Sequence, residues 1–275
     1  MKIKYLGTAA AEGIPGLFCN CRVCQNALRV RGKEIKTRSQ AIIDDKILID
    51  FPADTYMHVL NYGLDLRFVH HCIITHSHPD HLYANDFWCR LNGIARDIGD
   101  DPLHIYLTDA GYKKTEGILG TNIDCNRLKF HKLKAFEPFM IEDYRIIPLA
   151  AAHDHSTDPV IYIIEHGGKN LLYANDTGIF PEATWEYLKN CNRRFDLVSM
   201  DCTAMLLKDH RDAHMGLDTN RELYIRLADM GLCDDDTVVF INHFSHNGLA
   251  THEELVIEAA KYGWGVTYDG LEVEI

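Results

Sequence analysis

The spacing of apolar positions changes along this chain. In residues 2–7, KIKYLG, apolar and polar side chains alternate, which predicts a strand with one buried face. SQAIIDDKILID (39–50) has two apolar halves around Asp44-Asp45 and predicts a hairpin. FVHHCIITH (68–76) predicts a buried strand carrying His70 and His71, followed by a helical stretch near residues 82–96. FMIEDYRIIPLAAAH (139–153) and PVIYIIEHGGKNLLYAND (159–176) predict further strands, the second pair turning at Gly167-Gly168. Helical and strand periods then alternate. PEATWEYLKN starts a helix at Pro181, DTNRELYIRLADMG is a helix closed by Gly231, and THEELVIEAAKYG is a helix capped by Thr251 and Gly263. FDLVSMD and TVVFINH are the strands between them. Antiparallel strands first and βα units later predict two sheets sandwiched between helices. There is no internal repeat, low-complexity segment or linker, so residues 1–275 read as one domain.

Composition narrows the function classes. Hydrophobic residues make up 47% and charged residues 25%, ordinary globular values, and no apolar run approaches the roughly 20 residues of a membrane span. MKIKYLGTAA lacks an apolar signal core, so the expected compartment is the cytoplasm, without a membrane partner. In a reducing compartment the nine cysteines read as thiols or metal ligands rather than disulfides. A formal net charge of −12 repels polyanions and argues against an extended nucleic-acid surface, but leaves room for a small anion held by local metal ions.

The chemistry gathers where predicted strands end. THSHPDH places His76, His78, Asp80 and His81 directly after the apolar run CIIT, and Pro79 helps the loop curl so that these groups converge. Imidazole with carboxylate suits zinc, manganese or iron. His153, Asp176 and His243 each follow another apolar run. Singly, such a residue is more often a cap; together they make a seven-ligand set, too many for one tetrahedral ion and suited to two ions sharing a carboxylate. His155 rivals His153, which is preferred because it leaves the strand first. Asp50, ending KILID, reads as a support for the ligand loops. RVRGKEIKTR, with Arg29, Arg31, Lys33, Lys36 and Arg38, reads as a solvated charged face, and HGGK as a turn rather than a phosphate loop. Cys19, Cys21 and Cys24 form a C-x-C-x-x-C cluster that leaves a tetrahedral zinc one ligand short; His246 in NHFSH is the candidate fourth. The competing readings are a reactive thiol cluster or a disulfide pair, while an iron–sulfur cluster would want a fourth nearby cysteine.

HSHPDH with His153, Asp176 and His243 resembles the metallo-β-lactamase superfamily, and the match runs from LGTAAAEGIP (6–15) to the C-terminal YDGLEVEI. Within it, the cysteine cluster, DCTA, HMGLD and NHFSH resemble the PhnP-type phosphodiesterases of the carbon–phosphorus lyase pathway, relatives of ribonuclease Z. The resemblance implies a four-layer αβ/βα sandwich with a dinuclear site. His76, His78 and His153 would hold one ion, Asp80, His81 and His243 the other, with Asp176 bridging. Asp80 and His214 are the implied catalytic residues, His214 binding the phosphate or protonating the leaving oxygen. The implied cofactors are two divalent ions, Mn²⁺ or Zn²⁺ with iron or nickel as further options, and one structural Zn²⁺ on Cys19, Cys21, Cys24 and His246 in a loop at about 17–38. The expected reaction is hydrolysis of a small, cyclic phosphodiester by a metal-bridging hydroxide.

Other readings stay open. A ribonuclease Z-like nuclease is weakened by the acidic charge and the lack of an evident RNA-gripping arm. A lactonase would share the fold, whereas secreted zinc β-lactamases carry a Cys where Asp176 stands. Flavo-diiron reductases usually have Glu at the position of His78. A binding module merely braced by metals would be expected to lose ligands. Dimerisation of the chain is left open.

Overall fold

The structure is a computed structural model that describes residues 1–120, 126–191 and 193–275. One sheet has the order β14 (Leu271–Glu274), β1 (Lys2–Gly7), β2 (Gln40–Ile43), β3 (Ile47–Ile49), β4 (His71–Ile73), β5 (Leu103–Leu107) and β6 (Leu128–Lys132). The second runs β13 (Gly265–Val266), β12 (Val238–Asn242), β11 (Leu197–Asp201), β10 (Lys169–Ala174), β9 (Val160–His166), β8 (Tyr144–Ala150) and β7 (Phe139–Ile141). The α-helices are α1 (Arg22–Val30), α2 (Thr55–Tyr62), α3 (Asp109–Leu119), α4 (Glu182–Lys189), α5 (Leu217–Asp229) and α6 (His252–Ala260). Among the described residues no helix is long and apolar enough to cross a membrane.

Strand alternation sorts side chains into three cores. Tyr5, Ile43, Ile47 and Ile73 meet Ile146, Tyr162, Ile164 and Tyr173 between the sheets. The neighbours Ile42, Leu48, Cys72 and Ile105 face outward with Phe87 and Leu128. On the second sheet Ile147, Ile163, Leu172 and Val198 face outward, in one core with Trp185, Leu188, Leu223 and Leu255 of α4, α5 and α6. The result is the expected αβ/βα sandwich.

The predicted hairpin turns at Asp44 and Asp45, both at positive φ (49° and 57°), with Ile43 opposite Ile47. Aspartate tolerates the left-handed region that such a tight turn requires. Two expectations need correction. The helical stretch near 82–96 is a 3₁₀ segment, Ala84–Arg90, and β4 begins at His71, so His70 lies just before the strand. The apolar spacing of residues 84–90 buries only Ala84 and Phe87, too narrow a stripe to anchor a full α-helix.

Strands β3, β4 and β5 run parallel, as do β10, β11 and β12. The loops that leave β4, β10 and β12 bring their ligand-type residues together between the two sheets. Two hydrogen bonds clamp the sheets there: Tyr162 donates its hydroxyl to the Ile74 carbonyl at 2.6 Å, and the Val160 amide donates to the Thr75 carbonyl at 2.9 Å. Replacing Tyr162 with Phe removes the first and leaves the buried Ile74 carbonyl with one donor fewer. The expected cost is about 1–2 kcal/mol, read as a lower urea midpoint at unchanged slope.

Candidate metal centre

Thr75 follows β4 and opens a tight loop that turns His76, His78, Asp80 and His81 inward, with the His81 and Leu82 amides both donating to the His78 carbonyl. Asp50, Asp176 and His243 stand at positive φ (66°, 49° and 63°), an uncommon backbone state that recurs where function overrides local comfort. Here it lets each chain end swing its side chain into the gap between the sheets.

Two groups of donor atoms form. His76 Nε2 lies 3.0 Å from His78 Nδ1, which lies 3.1 Å from His153 Nε2. His81 Nε2 lies 3.2 Å from Asp80 Oδ2 and 3.3 Å from His243 Nε2. Asp176 stands between them, with Oδ2 at 2.8 Å from His81 Nε2 and 2.9 Å from His243 Nε2, and Oδ1 at 3.8 Å from His153 Nε2. Ligands at 2.0–2.1 Å from one ion are separated by about 2.9–3.4 Å in octahedral or tetrahedral arrangement, which matches these spacings. Asp176 Oδ2 is buried yet has no hydrogen bond of acceptable geometry despite its two close nitrogens. Such an atom fits a cation better than a proton. His155, by contrast, sits in the 3₁₀ segment His155–Thr157 and lines a different hollow with Asp109 and Pro181. The structure brings His153 into the group and leaves His155 outside it.

The outer partners fix which nitrogen each imidazole offers. Thr75 Oγ1 donates to Asp50 and receives His76 Nδ1 at 3.1 Å, and Asp50 Oδ2 receives His81 Nδ1 at 2.7 Å. His153 Nδ1 donates to the Ala213 carbonyl at 3.2 Å, and His78 Nε2 reaches Asp154 Oδ2 at 3.3 Å. On the second sheet Thr203 Oγ1 donates to Asp201 and faces His243 Nδ1 at 2.8 Å. Asp201 also accepts the amides of Asp176, Thr203 and Met215, and takes His214 Nδ1 at 3.1 Å. Asp201 and Asp154 were not among the residues singled out from the sequence. Asp201 was accessible by the same signal as Asp176, an acid ending an apolar strand; Asp154 has no sequence signal.

Four carboxylates, Asp50, Asp80, Asp176 and Asp201, crowd buried imidazoles, and this sets the protonation of the metal-free protein. Burial would lower His243, but Asp176 and Asp201 outweigh it and push the ring up to about 10. Burial likewise opposes charge on His81, and Asp176, Asp80 and Asp50 raise it well above the imidazole range. His76, where burial dominates, is held well below that range. Burial would raise Asp201, yet the His214 and His243 charges hold it to about 2.

His78, Asp80, His153, Asp176, His243 and the partly exposed His214 line a cleft of about 450 Å³, joined by Glu12, Thr203, His210 and Asn247. His214 shares Asp201 with His243 and stacks beside its ring, centroids 5.8 Å apart at 18°.

A second cluster lies nearby. The donor atoms of Cys19, Cys21, Cys24 and His246 all lie within 4.8 Å of one another. His246 Nδ1 is 3.6 Å from Cys19 Sγ and 3.8 Å from Cys21 Sγ. Sulfur at about 2.3 Å and nitrogen at about 2.0 Å around a tetrahedral zinc stand about 3.5 Å apart, so these residues fit that ion. None of the eight described cysteines is in a disulfide. Burial pushes Cys24 up to about 12, whereas amide and thiol hydrogen bonds outweigh burial at Cys21 and lower it. Gly16 is needed for closure, since a Cβ there would come within 2.9 Å of His246 Nε2.

A family model described as the beta-lactamase superfamily domain matches residues 47–243, most of the chain, and the chain belongs to that superfamily of metallo-hydrolases. A PhnP-family diphosphatase superposes with a TM-score of 0.75 at 20% identity, covering 100% of this chain and 97% of its own. Zinc-bound PqqB from Methylobacterium extorquens superposes with a TM-score of 0.74 at 18% identity, covering 100% of both chains. At these identities the likeness is one of fold. Octanoyltransferase of Porphyromonas gingivalis is 25% identical over 287 aligned positions, covering 100% of this chain and 52% of that protein. The chain thus spans about half the length of that curated relative.

The raised imidazoles imply a pH linkage. Between the ordinary imidazole value and about 10, metal-free His243 holds a proton that a cation must displace. Metal titrations at neutral pH should release protons, seen as a calorimetric enthalpy that varies with buffer ionisation enthalpy, and affinity should weaken as pH falls. A buffer-independent enthalpy would show that these rings are already neutral.

Proposed function

We propose that the chain is a metal-dependent phosphodiesterase acting on small, preferably cyclic, phosphodiesters. His76, His78 and His153 would hold one divalent ion, Asp80, His81 and His243 a second, and Asp176 would bridge. The observation that carries this reading is the orphaned Asp176 oxygen between two groups of inward-turned donors, none of them a thiolate. Two such ions supply an activated water at neutral pH and neutralise the non-bridging oxygens of a phosphodiester.

The chain's own residues do the rest. Asp201 holds His214 Nδ1, leaving Nε2 free in the cleft. Burial opposes charge on His214, but Asp201 and Asp176 outweigh it and raise its value, which favours a proton ready for the departing oxygen. Two divalent ions would outweigh the ligand carboxylates Asp80 and Asp176, offset locally the overall charge of −12, and leave the cleft suited to an anion. A binding module would have no use for an Asp201–His214 pair opening on the cleft. The diphosphatase likeness supports a phosphoryl substrate. The octanoyltransferase relative makes an octanoyl thioester the natural rival substrate.

The test is a metal-supplemented panel: bis(p-nitrophenyl) phosphate, its monoester, a 2′,3′-cyclic nucleotide, a lactone, nitrocefin and an octanoyl thioester. The diesters should lead; clear preference for the lactone, nitrocefin or thioester would overturn the reading. His214→Ala should lower diester turnover by roughly 10²-fold with metal content unchanged, whereas loss of one equivalent would make it a ligand.

The cysteine cluster is proposed as a structural zinc. It would tie the N-terminal loop to the loop that carries His243. Cys21→Ser and His246→Ala should each remove one chelation-resistant zinc and lower the melting temperature, since closed thiolate sites contribute folding energy. Full zinc content and wild-type stability in both would assign the cluster another purpose.

A further inference from the structure

A cavity of about 200 Å³ lies on the outer face of the first sheet and shares no lining residue with the metal-facing cleft. Leu48 of β3 and Leu103 of β5 line it together with Phe51, Val69 and Phe87, and all five belong to the outward-facing core of that sheet. The chain that covers them is the 3₁₀ segment Ala84–Arg90 and the loop after it, which contributes Ala95. A full α-helix over residues 82–96, as the sequence predicts, would bring more side chains onto this face; the tighter segment buries only Ala84 and Phe87 and leaves space beneath. Protein interiors leave few voids larger than a water molecule. An apolar void of this size stays dry and takes up apolar guests, and at about 30 Å³ for each water-sized group it has room for roughly seven.

One cation opens on this apolar space. Arg90 donates Nη1 to the Leu66 carbonyl at 3.2 Å and Nη2 to the Asp101 carbonyl at 3.1 Å. These neutral acceptors fix the guanidinium without neutralising it. Its Nε is buried and has no hydrogen-bond partner among the described residues. Burial first, then the Arg127 charge, pull Arg90 below the ordinary guanidinium range in spite of Asp101. A cation so placed is costly until an anion meets it. Two other charged side chains line the cavity. Arg67 is already engaged by Asp65, through Nε at 2.8 Å and Nη2 at 2.6 Å, and Asp86 weakens the pull on an anion. The space therefore suits a single negative charge and not a phosphate dianion.

We infer that this cavity binds an apolar monocarboxylate, with its carboxylate on Arg90 Nε and a tail of roughly seven carbons against Leu48, Phe51 and Leu103. The tail fills space that no side chain occupies, and the carboxylate accepts the one buried N–H left over. This site is separate from the phosphodiesterase reading and does not depend on it.

Cys89 lines the same cavity and is exposed, so its alkylation by iodoacetamide, followed by peptide mass spectrometry, reads occupancy directly. The metal-loaded protein is titrated with octanoate, with octan-1-ol, which keeps the tail and lacks the charge, and with acetate, which keeps the charge and lacks the tail. Octanoate should raise the melting temperature saturably and slow alkylation of Cys89. Octan-1-ol should bind about 10-fold more weakly, the scale of one charge-assisted hydrogen bond, and acetate should do neither. Arg90→Gln should remove the advantage of octanoate over octan-1-ol. Ala95→Leu, which adds three carbons to the lining, should exclude both ligands without lowering the melting temperature, and it decides the matter if Arg90→Gln does not fold. Unchanged Cys89 alkylation at saturating octanoate would overturn the inference. So would equal affinity for octanoate and octan-1-ol, or octanoate binding that persists undiminished in Ala95→Leu, which would place the carboxylate on the catalytic ions.

Discussion

The site depends on one electrostatic arrangement, a buried carboxylate, Asp176, facing two groups of imidazoles across the gap between the sheets. Unpaired charge in such a place is expensive. The fold answers with a matched pair of supports. Asp50 with Thr75 steadies His76 and His81 from the first sheet; Asp201 with Thr203 steadies His243 and His214 from the second. Each support presents a hydroxyl bonded to a carboxylate, so each ring donates outward and turns its remaining nitrogen inward. That inward nitrogen is where a cation would displace the proton that the carboxylates keep on metal-free His81 and His243.

The sandwich is what allows this. Parallel strands in each sheet direct chain ends to the site, so loops far apart in sequence arrive together. The Tyr162 and Val160 contacts keep the spacing between sheets fixed at the residues that precede His76. The helices matter more remotely. Asn220 on α5 donates to the Asp201 carbonyl at 2.6 Å, which ties the support for His243 to the outer layer.

Much of this was legible in the sequence, for identifiable reasons. The second-sheet strands and α4, α5 and α6 have long, clean periods, and THSHPDH packs its ligand-type residues into one loop. Other elements left little trace. Strand β5 is an exception, since LHIYL alternates and buries Leu103, Ile105 and Leu107, a pattern that is legible but short; α2 leaves Tyr56, Met57 and Leu60 exposed, so its apolar positions do not mark a buried face. The basic stretch read as a solvated face is divided: Arg29 and Lys33 lie near the surface, while Lys36 is buried between His252, the Thr267 carbonyl and the Phe244 ring, and burial lowers it to about 8. A single residue type gives no sign of such burial. Asp154 was invisible for a different reason: its role exists only through His78 across the loop.

Distance between the two clusters is short in sequence and in space, and this shapes what the scaffold can vary. His243 faces the metal-type donors and His246 faces the thiols, His246 opening a 3₁₀ turn, His246–Gly248. Phe244 is buried and its amide donates to the Thr8 carbonyl, so the segment cannot slide without moving both histidines. Change is therefore confined to side chains that project from this rigid frame without holding it. Along the cleft those include Leu207 and His210, on the loop that follows β11. Such positions can vary while the donor set and its supports stay in place, because a fold does not by itself fix the chemistry carried on it.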